Sequence, residues 1–165
     1  MAPYQLSDEI EKMIAERAPT GAGAWVRLFD ETTTAMRFAF QGTDVTEAEI
    51  LDALSSTDAA KRKEAGQSLS TTLKGHQRLL SLVMNTIAKD KQIEDGWRGF
   101  VRPVSSRNLA NDVDDHVVDA LVQAVNDRNA DLSHRYYSLK AGWMGKKQID
   151  WWDRNAPLPG DDDRH

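Results

Sequence analysis

The sequence predicts a mainly α-helical fold carrying one β-hairpin, and three observations lead there. Apolar residues recur at three- and four-residue spacing through four stretches, the periodicity of one buried helix face. One of those stretches opens on a full capping box. Strand-like runs of aromatic and β-preferring residues occur in one region, at about residues 24–40.

Leu6, Ile10, Met13 and Ile14 define the first helix, over 6–18, with Ser7 as its cap and Pro19-Thr20-Gly21 as its stop. The period then changes. Trp25–Phe29 and Ala35–Phe40 read as two antiparallel strands joined by the polar Asp30–Thr34. In the second run Met36, Phe38 and Phe40 alternate with Ala35, Arg37 and Ala39, as a half-buried strand requires. Two strands alone are marginal, so this hairpin must lie on helices or on further sequence. Gly21-Ala22-Gly23-Ala24 reads as the turn that leads into it.

Thr46-Glu47-Ala48-Glu49 starts a helix over 46–54, with Val45 and Ile50 placed to form a hydrophobic staple across the cap. A long helix at about 58–91 follows, with Ala65, Leu69, Leu73, Leu80, Val83 and Ile87 on its stripe. Gly66 and Gly75 mark where it can break, each costing about 1 kcal/mol against alanine. Gln92 to Val104, with Gly96, Gly99 and Pro103, reads as an irregular crossing pinned by Trp97 and Phe100. Asn111-Asp112 then caps the last helical stretch, at about 112–144. Its stripe runs Val113, Val117, Leu121, Val125, Leu132, Tyr136, Leu139, Trp143, either as one helix kinked near Asn129 or as two. Residues 1–159 read as a single helical domain or sub-domain, and 160–165 as a frayed acidic tail.

Composition narrows the function. The chain has 165 residues, no cysteine and a net charge of −5 from 21 Lys+Arg and 26 Asp+Glu. The missing cysteine removes disulfides, thiolate metal sites and cysteine nucleophiles. The acidic balance argues against a nucleic-acid partner. No apolar run reaches the roughly 18–20 residues that cross a bilayer, and Met1–Gln5 resembles no signal peptide, so a cytoplasmic protein without membrane contact is expected.

Motif chemistry is sparse. No two histidines stand three or four apart, so the helical two-histidine zinc motif is absent. His76 falls on an apolar stripe, where a boundary histidine bonded to a neighbour is expected. His116 sits among Asp112, Asp114, Asp115 and Asp119, ordinary compensation for a helix dipole. No serine occupies a G-x-S-x-G elbow. Lys61-Arg62-Lys63 and Lys89-Asp90-Lys91 read as solvated helix surface. The distinctive region is aromatic: two of three tyrosines and three of five tryptophans fall within 17 residues, 136–152. Packing alone accounts for such side chains.

That region carries a resemblance. Ser133-His134-Arg135-Tyr136-Tyr137-x-Leu139-Lys140-Ala141-x-Trp143, then Asp153-Arg154-Asn155-Ala156-Pro157-Leu158-Pro159, resembles the oligoendopeptidase F branch of the thimet-oligopeptidase-like zinc metallopeptidases. Leu28–Thr32, Asn85–Lys91 and Ser105–Val113 resemble the same branch in the same order, so the likeness spans roughly residues 24–159. In that family an H-E-x-x-H helix and a later glutamate hold zinc. Neither has a counterpart in this sequence, so the resemblance assigns no catalytic, cofactor-binding or metal role here. His134, Arg135, Tyr136, Tyr137, Lys140, Trp143, Asp153, Arg154, Asn155 and Pro157 remain motif residues without a role.

The resemblance implies an N-terminal or middle, non-catalytic portion of a zinc oligopeptidase, inactive alone and forming part of the wall of a channel for short peptides. Zinc is expected in the intact parent and no cofactor in this chain. The missing catalytic lobe is then the expected partner, with self-association through exposed aromatic surface as its counterpart in isolation. The residues alone allow equally a stand-alone helical binding or scaffolding module.

Overall fold

The computed structural model describes residues 2–158, and the expected acidic tail at 160–165 lies outside them. Its elements in order are a 3-10 turn at Ala2–Tyr4, α1 (Asp8–Arg17), α2 (Ala22–Ala35), β1 (Phe38–Phe40), β2 (Thr43–Val45), α3 (Glu47–Ala53), α4 (Ala59–Gly75), α5 (Gln77–Arg98), α6 (Ser105–Ala110), α7 (Asp115–Asn129), a π turn at Ala130–His134, α8 (Arg135–Trp143) and a 3-10 turn at Trp151–Asp153. The fold is mainly α with one antiparallel hairpin, as the periodicities require. The chain packs as two compact units, Met1–Thr32 with Arg78–Ala124 and Thr33–Gln77 with Val125–His165.

The hairpin lies later than the sequence suggests. Residues 24–35 are helical, not a strand and its turn. Trp25, Leu28 and Phe29 sit at i, i+3 and i+4, and so short an apolar run fits either period. Glycine tips the balance: Gly23 donates its N–H to the Ala18 carbonyl at 3.0 Å, and a Cβ there would stand 2.8 Å from that oxygen. A helix can therefore begin directly on the end of α1. The second expected strand survives only as its second half, β1, with Ala35 ending α2, while the alternation over 36–39 holds, with Met36 and Phe38 buried and Arg37 and Ala39 exposed. Its partner is Thr43–Val45, in the register Phe38↔Val45, Ala39↔Asp44, Phe40↔Thr43. The two-residue turn between them places both Gln41 (φ 52) and Gly42 (φ 79) in the left-handed region, which matches strand twist. The Gln41 N–H donates to Glu64 of α4 at 2.8 Å, tying the turn to that helix.

α3 forms as its cap dictates. Glu49 accepts from the Thr46 N–H at 2.7 Å while the Thr46 hydroxyl oxygen accepts from the Glu49 N–H at 3.4 Å. Asp58 caps α4 through Ala60 N–H at 2.8 Å. The long 58–91 stretch breaks after Gly75, at His76, whose Nδ1 lies 3.0 Å from the Thr72 carbonyl.

The expected irregular crossing is shorter than 92–104, because α5 continues to Arg98 and α6 follows at 105–110. The helix ends in a Schellman closure: Phe100 N–H reaches the Asp95 carbonyl and Gly99 N–H the Gly96 carbonyl, with Gly99 at φ 77. Trp97 does not pin this segment, being largely exposed, whereas Phe100 stacks on Tyr4 with ring centroids 4.3 Å apart. Asp112 closes α6 in the same way at φ 53, so it terminates that helix rather than capping the next. α7 therefore starts at Asp115. From there to Trp143 the chain is one continuous helical run whose irregularity falls beside Asn129, as a π turn.

The units differ in what holds them. The second buries Met36, Phe38, Ile50, Leu54, Ala65, Ala141 and Ala156. In the first, Val83 alone among the described apolar side chains is fully buried. There, polar clamps join the helices. Arg98 donates to both Glu11 oxygens (2.6 and 2.9 Å) and to Glu94 (2.8 Å), and Arg102 donates to both oxygens of Asp119 (2.9 and 2.7 Å). Hydrogen bonds from Arg98 and then from the Leu6 N–H lower the Glu11 pKa from 4.5 to about 2.

A carboxylate so depressed stabilises the fold fully above its unfolded pKa, and the contribution drains away as pH falls through about 2. The melting-temperature gap between wild type and Arg98→Met should accordingly be constant above about pH 5 and shrink toward pH 2. A gap independent of pH would show that the Glu11 carboxylate is not what Arg98 serves.

Candidate functional site

Three of the motif residues, Lys140, Asp153 and Arg154, meet in one place in the second unit, where the 153–157 segment is held by α4 and α8. The centre is Asp153, fully buried in a 3-10 turn whose N–H closes on the Asp150 carbonyl at 2.9 Å. One oxygen, Oδ1, accepts from Arg62 Nε at 3.1 Å and Nη2 at 3.0 Å. The other, Oδ2, accepts from Lys146 Nζ. Arg62 spends its remaining nitrogen on the Ser56 (2.7 Å) and Thr57 (2.9 Å) carbonyls, where the chain enters α4. Burial alone would push the Asp153 carboxyl upward. The hydrogen bonds from Lys146 and Arg62 outweigh that and hold it below the ordinary aspartate range.

Lys140 completes the arrangement from α8. It is buried, and its ammonium donates at 2.7 Å to each of the Arg154 and Ala156 carbonyls. Burial, and then the charge of Arg62, lower its pKa below that of a free lysine, with the Asp153 charge working the other way. Two cations from helices, one from the loop after α8 and two backbone carbonyls thus fix a five-residue segment that has little apolar bulk. Among the described residues, no buried side-chain nitrogen or oxygen lacks a partner. The chemistry of this constellation is positional: each donor is consumed by the protein itself.

Of the motif residues, Lys140 and Asp153 enter this lock directly, and Arg154 contributes its backbone carbonyl. Arg154 and Asn155 are otherwise exposed, and Pro157 is half-buried. His134, Arg135, Tyr136 and Trp143 face outward, while Tyr137 is half-buried and meets Tyr136 edge-on at 5.3 Å. The sequence reading missed Arg62, which it placed on solvated surface with Lys61 and Lys63. Phase was the available signal, because helical residues three and four positions apart share one face. Arg62 stands three and four positions before Ala65 and Gly66, the two residues that α4 buries beside it. Lys146 follows Gly145, whose positive φ turns the chain back in a third Schellman closure. Gly66 is required by contact: a Cβ there would lie 2.9 Å from Trp152 Cβ and 3.2 Å from the Trp151 ring.

No cluster of three or more His, Asp or Glu side chains able to hold a metal ion occurs among the described residues. His116 is exposed, and His76 serves its own helix end. No helix among the described residues is long and apolar enough to cross a membrane.

Known proteins with this architecture include solved peptidases, and the chain is similar to them in fold and, more weakly, in sequence. A family model described as Oligopeptidase F matches residues 1–38. The group B oligopeptidase PepB of Streptococcus agalactiae serotype III (strain NEM316) is 24% identical over 115 residues, covering 70% of this chain and 19% of that protein. Oligoendopeptidase-F from Enterococcus faecium has the same fold, with a TM-score of 0.86 at 22% identity over 96% of this chain and 32% of its own. A Bacillus anthracis structure superposes with a TM-score of 0.78 at 16% identity, over 94% of this chain and 28% of its own. The chain thus spans less than a third of each of these relatives. Together the matches show that the chain has the fold of part of an oligoendopeptidase F and is similar in sequence to oligopeptidases over parts of its length.

Two substitutions test the lock. Asp153→Asn leaves Arg62 and Lys146 facing a neutral group in a buried site and should cost about 3–5 kcal/mol in denaturant unfolding. Gly66→Ala forces Trp152 or the 151–153 turn to move and should cost about 1–3 kcal/mol, with a change in tryptophan emission that Gly75→Ala does not produce. Near-neutral values for both would remove the lock as the support of the 153–157 segment.

Proposed function

We propose that this chain is a non-catalytic portion of a zinc oligopeptidase that hydrolyses short peptides, and that it supplies part of the wall of the substrate channel. The observation that carries the reading is the match in fold over 96% of the chain to an oligoendopeptidase-F. The ordered motif segments and the match of residues 1–38 support it from the sequence side. The residues present do not fit the zinc such a peptidase uses. There is no H-E-x-x-H, and no two of the four histidines stand three or four positions apart, as two zinc ligands on one helix turn must. No step of hydrolysis is therefore assigned to this chain. The metal, the general base and the groups that meet the scissile bond belong to the catalytic portion of the parent, which is also the partner that the chain requires. The parent is assigned to the cytoplasm, consistent with a sequence free of cysteine.

The purified 165-residue protein should bind no stoichiometric zinc and cleave no peptide, by metal analysis and by chromatography of a short-peptide mixture. Chelator-sensitive cleavage by this chain alone would overturn the reading. Sequencing the coding region past His165 gives an independent check: an in-frame H-E-x-x-H supports the peptidase, and a stop codon directly after His165 favours a stand-alone helical module.

A further inference from the structure

α8 turns its side chains the wrong way for a water-facing helix. It buries Lys140 and Ala141, while Tyr136, Leu139 and Trp143 point outward. Leu132 and Val125, in the preceding turns of the same unit, are exposed as well, with the π turn at 130–134 offsetting Val125 in phase from the α8 residues. Leu132 is 65% exposed, Val125 57% and Trp143 53%. Lone exposed apolar residues are ordinary on protein surfaces; five large ones along one helical run mark an interaction surface. Tyrosine and tryptophan on such a surface are the residue types that dominate interface cores.

From these features we infer that the Val125–Trp143 run is the seat for the catalytic portion of an oligoendopeptidase F-like polypeptide. The inference rests on the function proposed above. The occupant follows from the lengths of the relatives. The Enterococcus faecium protein holds this fold within 32% of its chain, leaving about two thirds of its polypeptide to lie against other surfaces. The lock explains the inversion. Lys140 turns inward to hold the 153–157 carbonyls, and the apolar residues around it are left for a second body to cover.

The absence of cysteine allows a direct test. Leu139→Cys, with Leu132→Cys as a second reporter, is alkylated with a maleimide and mapped by mass spectrometry in two proteins. One is the 165-residue chain; the other is Enterococcus faecium oligoendopeptidase-F with its matched third replaced by this chain. Alkylation should be fast in the first and at least about tenfold slower in the second, the factor that 1.4 kcal/mol of burial produces. Equal rates would overturn the inference, as would a chimera recovered only as aggregate. Protection in the isolated chain, accompanied by dimer in sedimentation, would transfer the surface to a second copy and overturn the assigned occupant. The parent function is read separately, from the coding region past His165, so either conclusion can fail without the other.

Discussion

The buried carboxylate of Asp153 is the point on which the second unit turns. Removing a charge from water is expensive, and the expense is met only where geometry is good and every lone pair is used. Here Arg62 reaches across from a helix 91 residues earlier in the sequence, while Lys146 arrives from the loop just after α8. The same guanidinium takes up the carbonyls that precede α4, so one cation fixes both the start of a helix and the end of the unit. Gly66 and Trp152 repeat the junction in apolar terms, with the backbone of α4 bare where the indole lies against it.

Polar clamps also organise the first unit, but without a comparable apolar core around them. Arg98 gathers Glu11, Glu94 and the Tyr4 carbonyl, and Asp115 collects Ser105 and Asn108. Side-chain hydrogen bonds of this kind orient helices well, yet solvent screening keeps the net contribution of each small. A unit that buries Val83 alone among its described apolar side chains relies heavily on such bonds.

Much of this was legible in the sequence. The capping box at Thr46 and Glu49, the alternation through Met36, Phe38 and Phe40, and the helical stripe interrupted near Asn129 are all local signals, and each appears as read. What escaped depends on distant partners or on turns. The run Trp25–Phe29 satisfies two periods, and only the close approach of Gly23 to Ala18 selects the helix. Asp112 looks like an N-cap until its positive φ shows it closing the preceding helix. Arg62 was hidden because a run of three basic residues reads as surface, and its acidic partner lies far along the chain. Lys140 and Asp153 were found through resemblance, but their role required the geometry.

The π turn at Ala130–His134 has a consequence for length variation. A π turn holds one residue more than an α turn, so it is the trace of a single inserted position accommodated without breaking the helix. Deleting one residue there would restore a plain α-helix and rotate α8 by about 100° against residues 125–129. Lys140 would swing away from the carbonyls it holds, and an apolar neighbour would take its place beside Asp153. The helix could absorb such a deletion and the lock could not, so the spacing from Asn129 to Lys140 is fixed by electrostatics rather than by helical propensity.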